Sequence, residues 1–448
     1  MNKERSFFYV VCSFAVPIAL QSMLQASFSI VDQIMIGQLG SVSVAGVGLA
    51  GKFSSMFSFM VSAVGSVAGI MISQYLGQEN RREIRRSFWV NLMLAGLMGG
   101  LFMAVGLLIP KGVMGLYATD TDTVNAAARY LSIVAWTFLP AAVCTLLSTL
   151  LRCADHAALP LYAGMAAALL NTVLNYILIF GKLGFAPMGA EGAAIATVVS
   201  QFVNLLLLLL LFGRVRHLLA KPAEERNVRV PFLWKQYAAM LLPVLFTEFM
   251  WTLGENVYGG IYGHMGTAAT AAMTLTNPVQ NLLIGALCGL AQAAGIIVGK
   301  RLGCGEYDEA YEAARKIILY GLWGSIILCV VIALTGRYYV QIYRVEDAVK
   351  LLTRQVLLVY AVVAPVKVLN MISGGILGSG GRTTYNLVIN ILGTWGFGVP
   401  LGLLAAFVLK LPIYWVYLLL SLEECVRLAL CLVVFKKRWW MQSLEAGA

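Results

Sequence analysis

The sequence predicts an all-α membrane protein whose twelve transmembrane helices form two six-helix lobes related by a parallel internal repeat. Three observations lead to this prediction. Hydrophobic residues make up 60% of the 448-residue chain and charged residues only 12%, about half the charge of a typical soluble domain. Apolar runs long enough to cross a bilayer occupy nearly the whole chain. These runs also recur at a constant spacing.

Twelve apolar runs are candidates for membrane spans, because one crossing needs about 20 predominantly apolar residues. Helices are expected within them, since backbone polar groups in lipid must be satisfied inside the segment. The first run lacks a small-residue cleavage site, so we expect an uncleaved first span and not a signal peptide. The predicted spans are 8–37, 43–74, 88–109, 124–150, 158–181, 190–213, 238–263, 268–298, 317–336, 351–377, 385–408 and 413–435.

An internal repeat divides the chain into halves. Pro17 and Gly40 of the first span recur as Pro243 and Gly266 of the seventh, and 243 − 17 and 266 − 40 both equal 226. Each half has six spans, an even number, so both halves begin on the same side of the membrane. The predicted organisation is an N-lobe at 1–213, a cytoplasmic linker at 214–236, a C-lobe at 237–435 and a cytoplasmic tail at 436–448.

The net charge of +11 is explained by topology. If the amino terminus lies inside, 21 lysines and arginines fall in inside loops and six in outside loops, as the positive-inside rule requires. We therefore expect a multi-pass protein of the cell membrane with both termini cytoplasmic. The same distribution argues against nucleic acid as a partner, and leaves the lipid bilayer and small molecules as the expected partners of a monomer.

Ionisable side chains inside membrane spans are costly and usually functional, which directs attention to Asp32 in the first span. Removal from water favours the protonated form of a carboxylate, and a nearby cation favours the ionised form. A proton, a sodium ion and a cationic substrate can therefore compete for such a site. Asn171 and Asn175 lie four residues apart on one face of the fifth span, where they would either supply oxygens to a cation or bond neighbouring helices.

The second half carries its own charges within the spans. Glu248 and Glu255 share a face of the seventh span about two turns apart, and 255 − 226 falls within one turn of Asp32. Lys367 in the tenth span is expected to pair with one of these two glutamates. The alternative for every acid is a permanent structural ion pair, as we expect for Glu423, Glu424 and Arg427 in the last span.

The sequence carries no nucleotide-binding, hydrolase or metal-binding motif and no CxxC, so no cofactor and no enzymatic activity are predicted. A channel would need a selectivity filter, and a receptor would need longer outside loops. A major-facilitator transporter would need an acidic-basic loop between the second and third spans, where QENRREIRR stands instead.

Several stretches together resemble the multidrug and toxic-compound extrusion (MATE) family over essentially the whole chain. The resemblance implies export of organic, often cationic, compounds in exchange for sodium ions or protons by alternating access. The alternative within the same superfamily is a flippase or exporter of a lipid-linked or endogenous metabolite. The stretches are VDQIMIGQLG, SQYLGQ, LRCADHAALP, NTVLNYILIFGKLGFAPMGAEGAAIAT, LPVLFTEFMWTLGENVYGGIYGHMG, GGILGSGGRTT and LPIYWVYLLLSLEECVRL.

The resemblance also implies roles for particular residues. Asp32, Asn171 and Thr197 match the family's cation site in the first lobe, and Glu248 matches its glutamate in the seventh span. One departure concerns Asn175, which stands where relatives often have an aspartate. The lost negative charge weakens the case for tight sodium binding and favours protons as the coupling ion.

Overall fold

The structure is a computed structural model that describes residues 6–220, 233–341, 343 and 345–445. In this part of the chain it contains twelve long helices and no strands, which confirms the predicted fold class. Residues 221–232 of the predicted linker and 446–448 of the predicted tail lie outside the described residues. The long helices are α1 (Phe7–Gly37), α2 (Ser41–Gly77), α3 (Arg81–Leu108), α4 (Thr121–Cys153), α5 (Ala158–Phe180), α6 (Gly189–Phe212), α7 (Trp234–His264), α8 (Thr267–Gly303), α9 (Tyr307–Gln341), α10 (Asp347–Ser379), α11 (Thr384–Val408) and α12 (Ile413–Lys436).

Eleven of these helices are long and apolar enough to cross a membrane, counted over the described residues. The exception, α12, carries Glu423, Glu424 and Arg427 within its 24 residues. A short helix at Pro110–Gly115 lies between α3 and α4, and a 3₁₀ turn at Arg216–Leu219 follows α6.

Several helices extend beyond the predicted apolar spans. The third begins at Arg81 because Asn80 caps it, with its side chain accepting a hydrogen bond from the Glu83 backbone N–H at 3.1 Å. The ninth begins at Tyr307, ten residues before the predicted span, and Asp308 and Glu309 occupy its first turn, where acids complement the helix dipole. Hydropathy detects only the part of a helix that lies in lipid.

The repeated glycines of the sequence form equivalent turns. Gly40 precedes α2 with φ of 87°, and Gly266 precedes α8 with φ of 109°. Both φ values lie in a region that side chains with a Cβ atom rarely adopt. The spacing of 226 residues therefore preserves a backbone conformation as well as a residue type.

The described residues fall into two compact units that divide inside α1. One unit runs from Leu20 to the linker, and the other contains the chain up to Ala19 together with the residues from Leu233 onward. In the first unit α2 packs against α3 and α4, and α5 packs against α6. In the second, α10 packs against α8, α9 and α12.

Two helices depart from regular α geometry. A 3₁₀ turn at Ala135–Thr137 interrupts α4. In α11, two π-helical segments at Leu392–Gly398 and Leu404–Val408 flank the short α-helical piece Val399–Leu403. Such π-helical turns widen a helix locally and are frequent at functional sites. The first of them places α11 against buried charges of α12.

Candidate functional site

The predicted N-lobe residues come together around Asp32 of α1. Asn175 of α5 donates a hydrogen bond from Nδ2 to Asp32 Oδ1 at 2.7 Å. The side-chain amide of Asn171, one turn earlier on α5, lies 3.1 Å from the second carboxylate oxygen and donates to it when its nitrogen faces the acid. Both oxygens of the carboxylate therefore contact α5.

Thr197 of α6 joins this cluster through Asn171. In the orientation that donates to Asp32, the Asn171 side-chain oxygen accepts a hydrogen bond from the Thr197 backbone N–H at 3.3 Å. The Thr197 hydroxyl donates to the carbonyl of Ala193 at 2.9 Å. The structure thus brings all four predicted residues of this site together on three helices. We call Asp32, Asn171, Asn175 and Thr197 the N-lobe site.

The electrostatics of the N-lobe site are those of a single uncompensated negative charge. Asn175 is only 1% exposed, and Asp32 is partly buried. Within the described residues, no lysine, arginine or histidine pairs with Asp32, and the buried Oδ1 of Asn175 has no hydrogen-bond partner. A carboxylate beside an unsatisfied carbonyl oxygen can accept a proton or a monovalent cation.

Tyr130 of α4 is a neighbour of Asp32 that the sequence analysis missed. Its hydroxyl is close enough to interact electrostatically with the carboxylate, and its ring packs against Ile36, Ile179 and Ala193. The sequence offers little to single it out, because the chain contains 19 tyrosines. Only the packing of α4 against α5 and α6 identifies this one.

A cavity of about 390 Å³ lies between α1 and α5, two of the three helices that carry the N-lobe site. Its lining includes Val31 and Tyr176, the sequence neighbours of Asp32 and Asn175, and none of the four site residues. The rings of Tyr176 and Phe180 lie 5.9 Å apart. The cavity is therefore aromatic on its α5 side. Its lining comprises Val31, Ile34, Met35, Gln38, Tyr176 and Phe180.

The predicted C-lobe residues are not joined in the same way. Glu248 is partly buried and makes no side-chain hydrogen bond or ion pair within the described part of the chain, and Glu255 is exposed. Lys367 of α10 interacts electrostatically with Glu424 of α12 and Glu255 of α7, but it forms no ion pair within 4 Å among the described residues. The expected pairing of Lys367 with a glutamate of α7 stays a prediction.

The expected ion cluster of α12 is present and reaches further than its own helix. Arg427 lies 3.3 Å from Glu423 and 3.7 Å from Glu424. Tyr258 of α7 donates to Glu423, and Asn370 of α10 donates to Glu424 at 2.8 Å. The sequence analysis missed these partners on α7 and α10. We call Tyr258, Asn370, Glu423, Glu424 and Arg427 the C-lobe charge cluster.

Over the residues that the structure describes, no group of three or more histidine, cysteine, aspartate or glutamate side chains is arranged to hold a metal ion.

Comparison with known proteins identifies the class of molecule that this fold represents. The MatE family profile matches the chain twice, at residues 17–177 and 243–404. The chain is 23% identical over 420 residues to the probable multidrug resistance protein YoeA of Bacillus subtilis, covering 90% of this chain and 88% of that protein. It is 22% identical to the probable multidrug resistance protein NorM of Thermotoga maritima, covering 95% of this chain and 91% of that protein.

Solved structures agree in fold. A crystal structure of a MATE protein in complex with MaL6 superposes with a TM-score of 0.88 at 17% identity and covers 97% of this chain and 96% of that one. An outward-facing multidrug resistance MATE transporter of the MOP superfamily gives a TM-score of 0.86 at 17% identity, covering 96% of this chain and 95% of that one.

Fold and profile together define a multi-pass membrane transporter built from a duplicated six-helix unit. The chain belongs to the MATE family of multidrug efflux transporters. The resemblance found in the sequence is thereby confirmed.

Proposed function

We propose that this transporter is an antiporter in which a cation entering at the N-lobe site drives the export of organic, mainly cationic, compounds. The observation that carries the proposal is the uncompensated carboxylate of Asp32 beside the unpartnered Oδ1 of Asn175. An acid held in a membrane span without a counter-ion is stabilised when it binds a proton or cation. Asp32 is then the residue whose occupancy changes during the transport cycle.

The coupling ion at this site is a proton rather than a sodium ion. Asp32 supplies the only carboxylate among the four residues of the N-lobe site. Sodium binding would need several oxygen ligands, whereas two of the groups around Asp32 are amides that donate to it. Protonation needs only the carboxylate itself. Asn171, Asn175 and Thr197 then hold the acid in position and relax when it becomes neutral.

The cavity between α1 and α5 supports an organic substrate. Its volume of about 390 Å³ lies within the range of small-molecule pockets, which run from about 300 to 1,000 Å³. A flat organic cation can stack on Tyr176 or Phe180 while its charge is attracted by Asp32. Protonation of Asp32 removes that attraction and favours release, which is the competition that exchange requires.

The C-lobe is assigned a supporting role. Glu255 and Lys367 interact electrostatically, and Glu248 carries a carboxylate without a side-chain partner among the described residues. These three residues are proposed to contact substrate or tune its release. The protein is proposed to lie in the cytoplasmic membrane as a monomer with both termini inside, its lobes at 1–213 and 237–435 exposing the substrate to each side in turn.

The test is efflux of a fluorescent organic cation from proteoliposomes, with a proton gradient and a sodium gradient imposed separately. We expect the proton gradient to drive efflux and Asp32→Asn to abolish it. Asp122→Asn is the matched control, because Asp122 is an exposed acid at the start of α4. Unchanged efflux by a folded Asp32→Asn protein would remove Asp32 from the mechanism. Transport under neither gradient would favour a lipid-linked or endogenous metabolite as substrate.

A further inference from the structure

The internal repeat assigns a counterpart to the N-lobe site in the second half. The two family matches are offset by 226 residues at their start (243 − 17) and by 227 at their end (404 − 177). The first offset makes Asp32 correspond to Tyr258 of α7, and the two offsets make Asn171 correspond to Phe397 or Gly398 of α11. The counterpart of the N-lobe site is therefore the region between Tyr258 and this part of α11.

A carboxylate occupies this counterpart, but it comes from another helix. Tyr258 donates its hydroxyl proton to Glu423 of α12, which is the sixth helix of its lobe as α6 is of the other. A Cβ atom at Gly398 would collide with both the Glu423 carboxylate and the Tyr258 hydroxyl. The glycine of α11 thus leaves room for the Glu423 carboxylate and the Tyr258 hydroxyl.

The two sites differ in how their negative charge is balanced. Arg427 lies 3.3 Å from Glu423 and 3.7 Å from Glu424, and it also donates to the hydroxyl of Thr394. These three charged residues are 4–8% exposed. A Cβ atom at Gly393 would meet the Arg427 side chain at 2.5 Å, so the π-helical segment of α11 is shaped around the guanidinium. Nothing comparable accompanies Asp32 among the described residues.

The groups that face the cluster from neighbouring helices complete the balance. Lys367 interacts electrostatically with Glu424. The positive charges of Arg427 and Lys367 therefore balance the negative charges of Glu423 and Glu424. Tyr258, Asn370 and Thr394 supply neutral hydrogen bonds. The other titratable side chains that interact with the cluster are Glu255 and Tyr262 of α7, Tyr360 of α10, and Tyr417 and Cys431 of α12.

We propose that Arg427 is a built-in cation that fills the C-lobe counterpart of the N-lobe site. Its guanidinium occupies the position that an exchangeable cation would take, held by two carboxylates and a threonine hydroxyl in a site shaped by glycines. The carboxylates of Glu423 and Glu424 are therefore closed to ions from solution. One consequence rests on the proposed function: the exchanged cation binds in the N-lobe and not at the C-lobe charge cluster.

The first test empties the site. Arg427→Ala leaves two buried carboxylates short of one cation, and removing one partner of a buried ion pair is strongly destabilising. We expect the purified protein to melt about 10 °C lower. Millimolar guanidinium or sodium chloride, compared with choline chloride, should restore part of this loss along a saturating curve. Urea at the same concentration should not.

Two control variants separate this effect from general loss of structure. Arg301→Ala removes an arginine whose pairing with Glu309 is 3.8 Å long and largely exposed on the glutamate side, and it should show no recovery with either cation. Adding Glu423→Gln to Arg427→Ala should abolish the recovery by removing the carboxylate. An Arg427→Ala protein that melts like the unchanged protein, or that gains nothing from either cation, would overturn the proposal.

The second test keeps Arg427 and so does not depend on whether the first variant folds. With the N-lobe acid neutralised in Asp32→Asn, neither sodium nor guanidinium should raise the melting temperature, because the C-lobe site is already filled. A saturable rise that Glu423→Gln removes would contradict the proposal. Melting measurements do not involve transport. Failure of the proposed function, seen as normal efflux by Asp32→Asn, is thus distinguishable from failure of this inference.

Discussion

At the scale of the residue, one amide sets the charge of the N-lobe site. Asn175 is almost fully buried and donates to Asp32 at 2.7 Å. An aspartate in its place would put two carboxylates in contact and double the negative charge. Two charges about 4 Å apart interact by ~4 kcal/mol at an effective dielectric constant of 20, so this substitution is expected to change the ion preference of the site.

We therefore expect Asn175→Asp to convert the transporter towards sodium. The repulsion between the two acids is relieved by a bound cation, so the sodium concentration needed for half-maximal efflux should fall at least about tenfold. The measurement is sodium-driven efflux from proteoliposomes across a series of sodium gradients.

The matched control for this change is Asn256→Asp. Asn256 is an exposed asparagine of α7 whose side chain donates to the Thr252 carbonyl in its own helix. The Asn256→Asp substitution adds the same negative charge to a membrane helix, away from the N-lobe site. If both variants respond alike, the effect comes from overall charge and the assignment of Asn175 to the coupling site is wrong.

At the scale of the element, the first π-helical segment of α11 packs closely against its neighbours. Gly398 faces Glu423 and Tyr258, whereas Gly396 in the same segment has no atom within 4 Å of an added Cβ. We expect Gly398→Ala to destabilise the protein by about 1–3 kcal/mol through overpacking, and Gly396→Ala to have little effect. Thermal melting of the two variants side by side checks this. Equal melting temperatures would show that the segment tolerates displacement of Glu423.

The chain after α12 also packs closely, through a buried tryptophan. Trp440 is completely buried and its ring stacks on Phe435 at 5.8 Å, whereas the neighbouring Trp439 is 47% exposed. We expect Trp440→Ala to cost about 3–5 kcal/mol, as for other large-to-small changes in a core.

Trp439→Ala is the control for that change, since it removes the same side chain from an exposed position. The measurement is the melting temperature of each purified variant. A Trp440→Ala protein as stable as Trp439→Ala would mean that residues 437–445 add nothing to the stability of their unit.

At the scale of the whole molecule, the orientation in the membrane is the central prediction. With the amino terminus inside, the α8–α9 loop that contains Cys304 faces the cytoplasm and the α5–α6 loop that contains Lys182 faces outward. Cys304 is exposed in the structure. We expect a membrane-impermeant thiol reagent to label Cys304 only after cells are permeabilised.

Lys182→Cys, made in a variant without other cysteines, is the counterpart and should be labelled in intact cells. Labelling of Cys304 in intact cells, with Lys182→Cys protected, would reverse the assigned orientation. That result would also reverse the direction in which substrate moves relative to the cation gradient.

The sequence by itself determined the class of molecule. Apolar runs about 20 residues long have few alternatives to membrane helices, and the spacing of 226 between Pro17 and Pro243 and between Gly40 and Gly266 gave the duplication. Asp32, Asn171 and Asn175 were found as polar residues within apolar spans, and Thr197 was added by the resemblance to the MATE family. The structure places these four residues on α1, α5 and α6, and their role stays a prediction.

Only the tertiary structure decided which of these groups meet. Tyr130 next to Asp32, and Tyr258 and Asn370 next to the α12 carboxylates, lie on helices far apart in sequence, and a tyrosine or asparagine in a span carries no signal of its partner. The electrostatic interaction of Lys367 with Glu424 of α12 is of the same kind. Contacts between helices depend on rotation and depth, which local periodicity leaves undetermined. Charge balance inside a membrane is therefore a property of the packed lobes and not of any one helix.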